Sequence, residues 1–149
     1  MGRKVAQPSF PATKSIVNAF STNGYTPVAT SGSTSNKTVA CGALTANTLA
    51  TVLSVTGGSG SMEFLSAVSV DATARTLRVQ VIVDGVPVFD STSASTSAAQ
   101  GCLVVGQAVS GASAYDSEPL YWNNSLTVKV ASSLTETDKF NIAYRYKLT

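Results

Sequence analysis

The chain reads as all-β: a single jelly-roll-like antiparallel β-sandwich of about eight strands behind an extended N-terminal arm. Three observations predict this. Apolar side chains fall on every second residue over 126–130 and 140–148, short runs of the same kind follow one another from residue 37 onward, and no stretch keeps a helical period for more than about two turns. A strand sends successive side chains to opposite faces, so a period of two buries one face of a sheet and wets the other.

The elements follow in order. Residues 1–36 form the arm, where Pro8, Pro11 and Pro27 break up the chain and ATSGSTSN over 29–36 offers almost nothing to bury. Within it, Ile16, Val17 and Phe20 are spaced as one short helical turn or as a docked extended piece. The sandwich occupies 37–149, with strands expected at 37–41, 48–56, 61–70, 76–83, 86–90, 102–109, 119–130 and 138–148, the seventh broken near Asn123-Asn124. Asp84-Gly85 between Val83 and Val86 signals a two-residue hairpin, because a type I′ turn needs positive φ at both centres. Gly57-Gly58-Ser59-Gly60 turns the chain, and STSASTSAAQ over 91–100 is a loop. Parity then nominates three core sets: Leu49, Leu53 and Val55; Met62, Phe64, Val68 and Val70; and Leu77, Val79, Val81 and Val83 opposite Arg78 and Gln80. Eight strands with long, unequal loops suit a jelly roll better than an immunoglobulin-like sandwich, whose Cys, Trp, Cys order is not met because Trp122 follows both cysteines.

A chain of 149 residues is one domain and can remove roughly 70% of its extended surface from water, so it needs no disulfide. Only 12% of residues are charged, about half the usual share, and Ser, Thr and Asn supply the polar balance. Neutral hydroxyl groups cost much less to desolvate than charges, which suits a surface that packs on other protein. A net charge of +2, with Arg3 and Lys4 as the one basic cluster, gives little pull on phosphate, and no nucleic-acid partner is expected. No signal peptide or membrane span is visible, so the expectation is a soluble product made in the cytoplasm with no membrane partner. A bridge between Cys41 and Cys102 is geometrically open, but the compartment favours two buried thiols.

With no histidine, the Ser-His-Asp and Cys-His arrangements are excluded. The close acid pairs Asp116/Glu118 and Glu136/Asp138 lie in expected loops and read as turn formers or salt-bridge partners rather than a glycosidase pair. Calcium at Asp116 and Glu118 lacks any recognisable ligand spacing, two cysteines are too few for zinc, and the glycines at 57, 58 and 60 lack the Walker pattern. No catalytic residue, metal, cofactor or small-molecule substrate is expected, and the chain does not read as an enzyme. Tyr115, Tyr121 and Trp122 form an aromatic group that could stack on a sugar beside Asp116, Asn123 and Asn124, or else cap the sandwich or meet a subunit. The glycosylation sequons at Asn36 and Asn123 read as chance matches in a protein that is not secreted.

In the segments GGSGSMEFLSAVSV, TLRVQVIVDGVPVFD and DKFNIAYRYKLT, and over about residues 40–149, the chain resembles the small virion proteins of tailed bacteriophages. Capsid decoration (cement) proteins are one such group, and tail or head fibre modules are another. The resemblance implies a many-copy structural protein on the capsid exterior, bound to the major capsid protein and bridging capsomers, with no catalytic residues to carry over. Its expected partner contacts are Phe10, Ile16, Val17 and Phe20 of the arm and Ile82, which breaks the polar face of Arg78 and Gln80. Unprotected sheet edges imply a homo-oligomer, a trimer first and a dimer second. The alternatives are a fibre module that binds host glycans through Tyr115, Tyr121 and Trp122, and a self-assembling jelly-roll shell protein whose Arg3/Lys4 arm faces the genome.

Overall fold

The alternating stretches fold as strands, and the pairing between them decides the architecture. The computed structural model describes residues 20–21, 26–27, 37–95, 97–106, 108–110 and 113–149. In chain order the strands are β1 (Phe20–Ser21), β2 (Thr26–Pro27), β3 (Lys37–Ala40), β4 (Ala43–Leu44), β5 (Ala50–Thr56), β6 (Gly60–Ser69), β7 (Leu77–Val83), β8 (Val86–Thr92), β9 (Gly101–Val105), β10 (Ala108–Ser110), β11 (Ser113–Tyr115), β12 (Leu120–Trp122), β13 (Ser125–Ser132), β14 (Glu136–Thr137) and β15 (Phe140–Leu148).

Eight of these carry the sandwich: β3, β5, β6, β7, β8, β9, β13 and β15. The first of the eight pairs with the last, the second with the seventh, the third with the sixth and the fourth with the fifth, all antiparallel. That is one long hairpin. The further pairs β6·β15 and β7·β13 roll it into two sheets, β9-β6-β15-β3 and β5-β13-β7-β8, which is jelly-roll topology. β12 extends the first sheet along the Gly60–Met62 end of β6, in line with β9 on the same edge, while β1 lies on the far edge of β9. The pairs β14-β4 and β11-β10-β2 are small satellites on the loops.

Alternation supplies the core. Leu77, Val79, Val81 and Val83 of β7 are all buried, and across the ladder they meet Ser132, Val130, Val128 and Leu126 of β13. Each large aliphatic side chain so buried contributes about 1.5–3 kcal/mol.

The other two nominated core sets need correction, each because a β-bulge exchanges the faces of its strand. Along β6·β15 the register shifts so that Tyr146 faces Met62 and Arg145 faces Phe64, leaving Glu63 as the extra residue. Met62 therefore joins Leu65 and Ala67 in the main core, whereas Phe64 packs with Leu103 and Ala143 in a second cluster. Val70 lies beyond the strand end and is 48% exposed. On β5 the extra residue is Val52, so Leu53 and Val55 keep the core face, Val55 buried and Leu53 half-buried against the core, while Leu49 before the bulge is displaced from their face. The strand expected over 102–109 stops at Val105 because Gly106 takes φ +104°, where an added Cβ would stand 2.8 Å from the Glu63 carbonyl oxygen.

Cys102 lies in a row with Ala67, Ile142 and Val39 across β9, β6, β15 and β3, and Cys41 follows β3. Three strand spacings of about 4.8 Å separate the two cysteines, beyond the Cα reach of a disulfide. Both are free thiols. Burial, reinforced by Asp138, pushes Cys41 up to about 12, and burial alone pushes Cys102 up as well.

Candidate functional site

The outward face of β5-β13-β7-β8 is built by register. Ser54, Thr127, Ile82 and Pro87 form one row across the four strands, Thr51, Lys129, Gln80 and Asp90 the next, and Ala131, Arg78 and Thr92 a third. Asp90 is held from two sides. Arg78 donates to it through Nε (2.7 Å) and Nη2 (2.6 Å), and Gln80 donates through Nε2 (2.8 Å). The Arg78 hydrogen bond holds the Asp90 carboxyl below its usual range, and Asp90 raises Arg78 in return. The pair is exposed and adds little stability, but Arg78 and Asp90 neutralise each other, which leaves Lys129 as the remaining charge of these three rows among Thr, Ser and Gln. At one end of this face Asn47, Thr76, Arg78, Thr92, Ala131, Ser132 and Ser133 line a shallow depression of about 210 Å³.

Ile82 points outward as expected and is half-buried between Thr127 and Pro87. Phe10, Ile16 and Val17 lie outside the described residues. Phe20 lies in β1, where its backbone pairs with Cys102 on the edge of β9.

The aromatic group does not assemble as one platform. On β12, Leu120 and Trp122 are buried while Tyr121 between them is 46% exposed, because neighbours in a strand face opposite ways. Trp122, at 1% exposure, is a core residue and offers no ring face to a sugar. Its ring lies over Gly60 so closely that an added Cβ would collide with Cζ2 and stand 2.5 Å from the Lys147 carbonyl oxygen. Tyr146 meets Trp122 edge-on with ring centroids 6.0 Å apart, and Tyr144 stacks on Tyr146. The adjacency of Tyr121 and Trp122 within a strand was the signal available in the sequence. Tyr115 is in β11, and its side chain lies outside the described residues.

Two loop clamps hold the ends of the sandwich. Asp84 and Gly85 form the expected turn with φ 49° and 83°. The Asp84 carboxylate also accepts the backbone N–H groups of Asn123 (2.9 Å), Asn124 (2.7 Å) and Ser125 (2.9 Å), which ties the β7-β8 hairpin to the β12-β13 turn. Partial burial pushes this carboxyl up, but the three N–H groups outweigh it and hold it below the ordinary 3.8. A depressed folded value stabilises above the unfolded value, and that stabilisation is lost as pH falls through the folded one. Asp84→Asn is therefore expected to cost about 1–2 kcal/mol near pH 7. In urea unfolding, the gap from the parent should close as pH falls below the ordinary carboxylate range and the parent carboxyl also becomes neutral.

At the other end Arg75, only 3% exposed, stands 2.5 Å from Asp71 Oδ1 and 3.1 Å from Glu136 Oε2, the latter an ion pair without an aligned hydrogen bond. Its guanidinium carbon is 6.0 Å from the centre of the Phe140 ring, and Lys139 reaches Asp71 at 3.2 Å. Arg75, with help from the Thr73 N–H, holds Asp71 well below the usual carboxylate range. Glu136, expected in a loop, sits in β14, which pairs with β4. Asp138 takes φ 54° and accepts the Gly42 N–H at 3.1 Å. Among the described residues, no three His, Cys, Asp or Glu side chains stand together as metal ligands would.

No family model and no curated protein matches the chain. Among solved structures it is similar to a chain in the structure of infectious bursal disease virus, Gt strain, at a TM-score of 0.30 and 11% identity. The alignment covers 80% of this chain and 36% of that one, so the chain spans about a third of that neighbour's length. A likeness of this size carries no assignment.

Proposed function

We propose that the protein is a structural virion component, and within that class a bacteriophage decoration protein that binds the outer capsid surface and bridges capsomers. The observation that carries this reading is the outward face of β5-β13-β7-β8, where Ile82 stands among hydroxyl and amide groups, Asp90 and Arg78 neutralise each other, and Lys129 is the one charge left over in the three rows. Such a face loses its water cheaply and is backed by a rigid core. The partner is the major capsid protein, and the chain acts as a scaffold with no substrate to turn over. An arm and a sandwich that touch different subunits act as linked sites, which multiplies their effective affinity.

A fibre module that binds host glycans is the second reading. It is favoured by the depression at Thr76, Thr92, Ser132 and Ser133, whose hydroxyl groups suit a sugar ring. Copy number separates the two. Purified heads of the encoding virus, incubated with the protein, are expected to take up hundreds of copies, and Ile82→Glu should lower occupancy about tenfold. A few copies confined to a tail or vertex, with adsorption to host cells lost on Thr92→Trp, would select the glycan reading. Normal head occupancy by Ile82→Glu would remove the assigned face.

A further inference from the structure

We infer that the free edge of β5 is a self-recognition site, where a second copy of this chain adds its own β5 antiparallel across a twofold axis. The sheet edges are not equivalent. In the first sheet β9 is covered by β1, β12 beside it is only 3 residues long, and the other edge strand, β3, carries Lys37. The second sheet ends at β8 and at β5. β8 bears Pro87, Asp90 and an extra residue at Val88, three devices that discourage another strand. β5 pairs with β13 along one side, and among the described residues its other side has no partner strand. Beyond the bulge at Val52, Leu53, Ser54, Val55 and Thr56 run on with neither charge nor proline.

Charge and pattern argue for a second copy as the occupant. No charged side chain occurs anywhere in residues 38–62, which contain β5, the loop before it and the turn after it. Two molecules that each carry a net +2 can therefore bring these rims together without like charges meeting. A twofold axis at Ser54 sets Ser54 opposite Ser54 on the wet face and Leu53 opposite Val55 on the core face, so polar meets polar and apolar meets apolar. The half-buried Leu53 gains cover, and the two four-stranded sheets become one of eight. The inference is independent of the virion reading.

Ser54 is exposed, so Ser54→Lys and Ser54→Glu are expected to fold with the parent's circular dichroism and melting temperature. In sedimentation equilibrium from about 10 µM to about 1 mM the parent should self-associate, and each variant alone should bind itself at least about fivefold more weakly. An equimolar mixture of the two variants should recover the dimer as a heterodimer, because opposite charges now face each other. A parent that stays monomeric across that range would overturn the inference. So would single variants that associate like the parent, or a mixture that recovers nothing.

Discussion

Trp122→Ala is expected to cost about 3–5 kcal/mol, the largest loss available from one side chain of this core. The ring is 1% exposed, covers Gly60 and takes the edge of Tyr146, at the point where β12 completes the sheet beside β6. Removing it empties a volume that the backbone around it cannot refill, because the ladder holds Gly60 opposite Leu148. Gly60→Ala should damage the same place from the other side. Its methyl group would meet both Trp122 and the Lys147 carbonyl oxygen, so it should cost about 1–3 kcal/mol or more. Denaturant unfolding followed by circular dichroism measures both, and the double variant should lose less than the sum of the two single losses, since the alanine methyl enters space that the ring vacates. Relief should be partial, because the backbone carbonyl stays in place. A Trp122→Ala protein as stable as the parent would mean that the ring does not fill the core.

Arg75→Ala is expected to cost about 3–5 kcal/mol by a different route, since it leaves carboxylates without their counter-charge. Glu136 is 9% exposed and Asp71 about a third, so Glu136 suffers more. Replacing both members of the inner pair, Arg75→Met with Glu136→Gln, should recover most of the loss, because the uncompensated charge is what destabilises. Melting temperatures of the single and double variants near pH 7 check this. A double variant no better than Arg75→Ala would assign the loss to Asp71, which both variants leave without Arg75, rather than to Glu136.

Much of the fold was legible in the sequence, and particular residues show why. The alternation over 77–83 and 126–130 needs only the local rule that a strand presents its side chains by turns, and the structure buries those positions. Asp84-Gly85 is equally local, since positive φ at two adjacent residues depends on those residues alone. Phe64 was misplaced because a bulge is set by the neighbouring strand's register, which no pattern within β6 records. The candidate site was less legible. Ile82 could be seen to point outward, but the polar rows around it depend on which strands become its neighbours. The partnership of Arg75 with Glu136 depends on a loop after β6 meeting β14.

By itself the sequence determined that the chain is all-β, where most strands begin and end, and which residues of β7 and β13 turn inward, because backbone alternation and turn chemistry act over a few residues. Only the tertiary structure decided that the first sandwich strand pairs with the last, that Trp122 is core rather than surface, and that β5 is left with a bare edge. Those outcomes depend on closing long segments of chain against one another, and one extra residue in one strand is enough to exchange the faces of everything beyond it.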